Sequence, residues 1–179
     1  MTERVVLTGM MGSGKSVVGR ILARRLDIPF VDLDRMIETA EAMSIARIFS
    51  SLGEPAFREI ESRHLAAACR ASRGVLATGG GVVLSAENRR RLRRWGTVVY
   101  LRATAGTLLG RLTEDEKKTR PLLGAADPAA ALRSLLESRR ALYEKAKLTV
   151  DTEGLTADAV ADSVLRAIAE KGAAEGEKP

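Results

Sequence analysis

Short apolar runs alternate along this chain with longer stretches whose apolar residues recur three or four positions apart. "RVVLTG" (4–9) has the continuous apolar character of a buried strand. "KSVVGRILARRL" (15–26) places Val17, Val18, Ile21 and Leu22 at helical spacing. "IPFVD" (28–32), "GVLAT" (74–78), "TVVYL" (97–101) and "LTVDT" (148–152) predict four further strands. Between them, "SIARIFSSLG" (44–53), "GEPAFREIESRHLAAACR" (53–70), "SAENRRRLRRW", "AGTLLGRL" and "PAAALRSLLESRRALYEKA" predict helices, and a closing helix runs from about Leu155 to Lys171. Strands that alternate with helices join through right-handed crossovers, which predicts an α/β/α sandwich: three layers, a central five-stranded parallel sheet and helices on both faces. Ligands of such folds lie at the carboxyl ends of the strands. That directs attention to Gly9–Ser16, Asp32–Asp34 and Gly79–Gly81.

One stretch breaks the alternation. "TEDEKKTRPLLGAAD" (113–127) is charged, broken by Gly and Pro, and has no period. A long irregular loop inside a compact domain is commonly a lid, and Arg120 and two lysines within it favour that reading. It closes on Asp127-Pro128, a helix cap followed by a first-turn proline. The expected organisation is one domain over 1–172, with a substrate-binding region at about 32–62, a mobile lid at 113–127 and a flexible tail at 173–179.

Composition narrows the function. At 179 residues and 45% hydrophobic, the chain can bury one core. No apolar run approaches a membrane span and the N-terminus lacks a signal-peptide pattern, so the expected location is the cytoplasm, with no membrane partner. The single cysteine, Cys69, excludes an internal disulfide and fits a reducing compartment. The net charge of +6 suits either nucleic acid or a small anionic substrate. Aromatic residues make up only 3%, and no stacking platform accompanies "NRRRLRRW" (88–95), so that run is expected to be a solvated helix face. Small size and a charged surface lean toward a monomer.

"GMMGSGKS" (9–16) fits G-x-x-x-x-G-K-[ST] through Gly9, Gly14, Lys15 and Ser16, with a strand before it and a helix after. In such a phosphate-binding loop the glycines let successive N–H groups turn inward on phosphate oxygens. The next helix adds its positive end. Lys15 then reaches the terminal phosphates, and Ser16 offers a hydroxyl to Mg²⁺. The loop also needs a carboxylate after a strand. The third strand is followed by Gly79, so Asp32 is the candidate, with Asp34 two positions on. If the segment stays extended, both face the same side, one toward the metal and one toward an incoming hydroxyl. Alternatively "DLD" caps the following helix. "GGG" (79–81) permits close backbone approach to a ligand. Arg58 and Glu61, three apart on a helix, can pair and so hold a guanidinium ready for an anion. Arg139 and Arg120 are further candidate cations.

These pieces, with "RPLL" and "RRALY", occur in the order and spacing of the shikimate kinase family, and the chain resembles that family over about residues 3–165. The resemblance implies that Gly12, Ser13, Gly14, Lys15, Ser16 and Val17 cradle the phosphates of ATP, and that Ser16 and Asp32 hold Mg²⁺, Asp32 through water. It implies that Asp34, Arg58, Gly80 and Arg139 hold shikimate, and that Gly79 and Gly81 line the pocket. Glu61 would orient Arg58, and Ile45, Phe49 and Phe57 would pack around the ring. Arg120 would be the lid arginine. Arg111 matches the arginine that stacks on adenine, although "RLTEDEKKTR" is longer than the family's usual spacing. The implied reaction is transfer of the γ-phosphoryl of ATP to the 3-hydroxyl of shikimate, with Lys15, Asp34 and Arg120 catalytic. Competing readings are another small-molecule kinase of this fold, gluconate or nucleoside-monophosphate type, and a nucleotide-dependent nucleic-acid binder suggested by the pI near 9.9.

Overall fold

In a computed structural model of the chain, residues 4–113 and 127–176 are described. The described elements, in order, are β1 (Arg4–Thr8), α1 (Lys15–Leu26), β2 (Phe30–Asp32), α2 (Leu33–Glu41), α3 (Ile45–Ala68), β3 (Gly74–Ala77), a single 3₁₀ turn (Val82–Leu84), α4 (Ala86–Trp95), β4 (Thr97–Arg102), α5 (Ala105–Gly110), α6 (Pro128–Tyr143), β5 (Leu148–Asp151) and α7 (Ala157–Gly176). The strands form one five-stranded parallel sheet, as the alternation predicts, and the structure gives its order as β2-β3-β1-β4-β5.

The strands are apolar on both faces because both faces are covered. Val6, Leu76, Val98 and Tyr100 join one core with residues of α2, α3, α4 and α6. Their neighbours Val5, Leu7, Val75, Val99 and Leu101 turn to the other side and meet α1 and α7. This is the period-two alternation of a pleated strand, satisfied on each side by a helical layer.

The order of the strands decides where a ligand can sit. β1 lies centrally, with β3 on one side and β4 on the other, and Val5 is level with Val75 and Thr97. The crossover from β1 passes to the edge strand β2 before β3 returns beside β1. The chain therefore diverges at the carboxyl end of β1 and leaves a crevice there. Thr78 ties this end together: its N–H and its hydroxyl both donate to the Leu7 carbonyl, at 3.1 Å each.

Three local boundaries differ from the expectation. The two predicted helices at 44–53 and 53–70 meet within α3, broken at Gly53 by a left-handed, non-helical backbone (φ 79°, ψ 169°). The segment at 32–34 does not stay extended, because Asp32 caps α2 and Leu33 is already helical. The closing helix passes Lys171 and continues to Gly176, since "AAE" is strongly helix-forming once the helix is running. The expected lid, apart from Thr113 and Asp127, lies outside the described residues.

Candidate active site

The loop after β1 wraps around its own lysine. Gly12 has φ 78°, and an added Cβ there would lie 2.4 Å from the Leu108 carbonyl oxygen, so only glycine lets the loop pack on α5. Gly14 is the N-cap of α1, with φ 86° and no side-chain cap. The first amides of α1 are thus left to a ligand and carry the positive end of the helix dipole. The Lys15 ammonium donates to the Met10 carbonyl at 2.8 Å and to the Ser13 hydroxyl at 3.2 Å. Ser13 is buried beneath the loop, whereas Val17 faces outward.

β2 delivers Asp32 to the same place. The Ser16 hydroxyl donates to Asp32 Oδ2 at 2.5 Å, and Asp32 Oδ1 accepts a long 3.4 Å bond from the Arg35 amide. The capping alternative is thus observed through one Asp32 oxygen, while the other oxygen meets Ser16 of the phosphate loop. Asp34, in the first turn of α2, reaches the cleft by helical rather than extended geometry. The extended-segment reasoning is thereby corrected: the two aspartates reach one cleft without sharing a strand.

Across the cleft, the glycines after β3 are packed against charge. A methyl group on Gly79 would lie 2.7 Å from Asp34 Oδ1 and 2.8 Å from Glu61 Oε1. At Gly81 it would fall 2.2–2.4 Å from three atoms of the Arg58 guanidinium. Arg58 donates through Nη1 to Glu61 Oε2 at 2.9 Å, the predicted pair. It also donates through Nε and Nη2 to Glu54 Oε1, at 3.2 and 2.8 Å. Glu61 is 1% exposed. Burial pushes its carboxyl pKa up, and the neighbouring Arg58 only partly counteracts this. Burial disfavours the Arg58 charge, but Glu61 and Glu54 outweigh it and raise its pKa. Glu61 Oε1 has no hydrogen-bond partner among the described residues.

The same guanidinium lies 5.1 Å from the centroid of Phe57 and 5.9 Å from that of Phe49, whose rings are 4.6 Å apart. Arg139 comes from α6 and is 4% exposed. It donates to the Gly80 carbonyl at 3.4 Å, while Arg140 turns outward to Glu137. One cleft of about 920 Å³ joins these groups; Lys15, Ser16, Asp32, Asp34, Arg58 and Arg139 all line it. Arg111, which also lines the cleft, grips Thr152, donating to the hydroxyl at 2.8 Å and to the carbonyl at 2.5 Å.

A family model described as shikimate kinase matches residues 11–169. The chain belongs to the shikimate kinase family. The shikimate kinase of Thermodesulfovibrio yellowstonii is 43% identical over 92% of this chain and 94% of its own length. That of Gloeobacter violaceus is 48% identical over 91% and 90%. A solved structure, shikimate kinase from Acinetobacter baumannii in complex with shikimate, superposes with a TM-score of 0.90 at 38% identity, covering 94% of each chain. A gluconokinase from Sinorhizobium meliloti has a TM-score of 0.60 at 20% identity and shares the fold alone.

Within this family member, the cleft gathers Gly12 to Val17, Asp32, Asp34, Ile45, Phe49, Phe57, Arg58, Glu61, Gly79, Gly80, Gly81, Arg111 and Arg139. These are all the sequence-derived site residues except Arg120, which lies outside the described residues. Glu54 was missed, although its i,i+4 spacing to Arg58 within "GEPAFRE" signals the pair. Thr152 was missed because nothing local marks it as the seat of Arg111. "NRRRLRRW" forms α4, with Arg90, Arg93 and Arg94 exposed as expected of a solvated face. Cys69 packs at the core edge, and burial raises its thiol pKa to about 11, so it is no nucleophile at neutral pH. Among the described residues, no helix is long and apolar enough to cross a membrane.

The Gly81–Arg58 contact makes a prediction. Gly81→Ala leaves the fold in place but forces the guanidinium off the backbone. KM for the acidic acceptor should rise about tenfold, the effect of ~1.4 kcal/mol, with the thermal midpoint little changed. Steady-state kinetics beside a melting curve check it, and an unchanged KM would mean that Arg58 has room to move without loss.

Proposed function

We propose that this protein transfers the γ-phosphoryl group of ATP to the 3-hydroxyl of shikimate, giving shikimate 3-phosphate and ADP. The observation that carries the reading is the convergence of a phosphate-binding loop, Asp34 and two guanidiniums, Arg58 and Arg139, on one cleft. Shikimate offers a carboxylate and a ring alcohol. Arg58 and Arg139 supply charge-assisted donors for the carboxylate, and Phe49 and Phe57 supply an apolar wall. Asp34 lines the same cleft, where it can accept the hydroxyl proton.

Loop amides, the α1 N-terminus and Lys15 bind the phosphates and offset charge that builds on them as the bond to the β-phosphate oxygen breaks. The acceptor oxygen forms the new bond to phosphorus, its proton passes to Asp34, and ADP leaves with the β-phosphate oxygen. Asp34 is thus a proton acceptor, and the rest of the site acts by alignment. Ser16 Oγ and Asp32 Oδ2 are hard oxygen donors in contact beside the phosphate loop, a set that suits Mg²⁺. Mg²⁺ bound there would neutralise phosphate charge. Arg111, held by Thr152, lines the same cleft, and adenine would lie against it.

ATP as donor and a lone, half-buried cysteine favour the cytoplasm. Size and a charged surface favour a single-domain monomer. The test is ADP release by purified protein with Mg·ATP. Rapid release is expected with shikimate and little with gluconate, a nucleoside monophosphate or no acceptor. Equal release in all four arms would end the assignment.

A further inference from the structure

Tyr143, at the last turn of α6, is fully buried and no step above uses it. Its hydroxyl donates to the Gly80 carbonyl at 2.5 Å. Its ring stacks on Tyr100 of β4, with centroids 5.0 Å apart and planes 12° from parallel. Burial raises the phenol pKa to about 12, so the hydroxyl keeps its proton and remains a donor.

The carbonyl it holds has a particular place. Arg139, one helical turn earlier, donates to the same oxygen. At the next residue of the same peptide, the Arg58 guanidinium lies against Gly81. That planar unit is therefore touched by both guanidiniums. Gly80 is also seated on the phosphate loop: its added Cβ would be 3.5 Å from the Gly9 carbonyl oxygen and from the Met11 amide. Arg139's own bond to the carbonyl is long, at 3.4 Å, so the tyrosine provides the short and directional contact.

We infer that Tyr143 is a positioning residue for the acidic substrate: by anchoring the Gly80–Gly81 peptide it sets the spacing between Arg58 and Arg139, and so the fit of the substrate carboxylate. The inference rests on the proposed reaction. It separates acceptor affinity, which depends on the hydroxyl, from nucleotide binding, which depends on the loop beneath.

The experiment compares Tyr143→Phe, which keeps the ring and its stack, with the wild-type enzyme and with Tyr100→Phe, which alters the other ring of the same stack. Loss of one hydrogen bond of ordinary net strength corresponds to roughly a three- to tenfold change. For Tyr143→Phe, KM for shikimate should rise by that factor while KM for ATP stays within about twofold, and Tyr100→Phe should leave both alone. KM does not depend on the fraction of enzyme folded, so partial destabilisation of the variant does not blur the result. Equal shikimate KM for Tyr143→Phe and wild type would overturn the inference, as would parallel rises in both KM values or the same rise in Tyr100→Phe. A wild-type enzyme that releases no ADP in response to shikimate would instead overturn the reaction assigned above.

Discussion

Asp34→Asn should lower kcat by about 10²- to 10⁴-fold, the range that a positioned general base contributes, while ATP binds with unchanged affinity. The substitution keeps the shape of the side chain and removes its ability to take a proton. Asp34 lies in the first turn of α2, beside Gly79, where its Oδ1 leaves no room for a methyl group. The substitution leaves the Ser16–Asp32 contact beside the phosphate loop in place, so nucleotide affinity is the internal control. Single-turnover phosphoryl transfer with saturating shikimate, paired with nucleotide titration, gives both readouts. Near-normal transfer would remove Asp34 from the chemistry and leave it as an acceptor contact only.

Arg58→Ala should have two separable effects. The first is loss of the carboxylate clamp. Truncating one partner of a buried, charge-assisted contact costs about 2–5 kcal/mol, so KM for shikimate should rise on the order of 10²-fold. The second is on stability. Glu61 is 1% exposed and takes its Nη1 bond from Arg58, and the substitution leaves that carboxylate buried without its hydrogen-bonded cation, with only the field of Arg139 to offset it. Breaking a buried pair costs about 3 kcal/mol or more, which should lower the thermal midpoint by several degrees. Adding Glu61→Gln removes the orphaned charge. The double variant should recover part of the stability and none of the affinity. If stability and affinity recover together, Arg58 acts through folding rather than by contact with the acceptor.

Most of the fold could be seen in the chain because the apolar runs are short, bounded by turn residues and separated by helical periods. The β1–loop–α1 unit was legible to within a residue, as was the break at Gly53, where glycine permits a backbone that no helix continues. Asp32 and Asp34 were legible as residues of the cleft but not in their geometry. Whether "DLD" stays extended depends on Asp32 capping α2, a bond to an amide three residues on that competes with the strand. Glu54 was within reach, since its spacing to Arg58 is the same kind of cue that identified Glu61. Tyr143 and Thr152 were not, because each acts on a group far away in sequence: Tyr143 on the Gly80 carbonyl, Thr152 on Arg111. Only the packing of α6 and β5 against the sheet brings those partners together.

Asp32 grips two structures with two oxygens, the serine of the nucleotide loop and the first turn of the helix that bears Asp34. A lesion there is consequently ambiguous: shortening the side chain to alanine loosens both attachments at once, and a weakened acceptor response would not by itself report on ion binding. Asparagine is the cleaner probe, since it retains an oxygen for the helix and sacrifices only the negative charge.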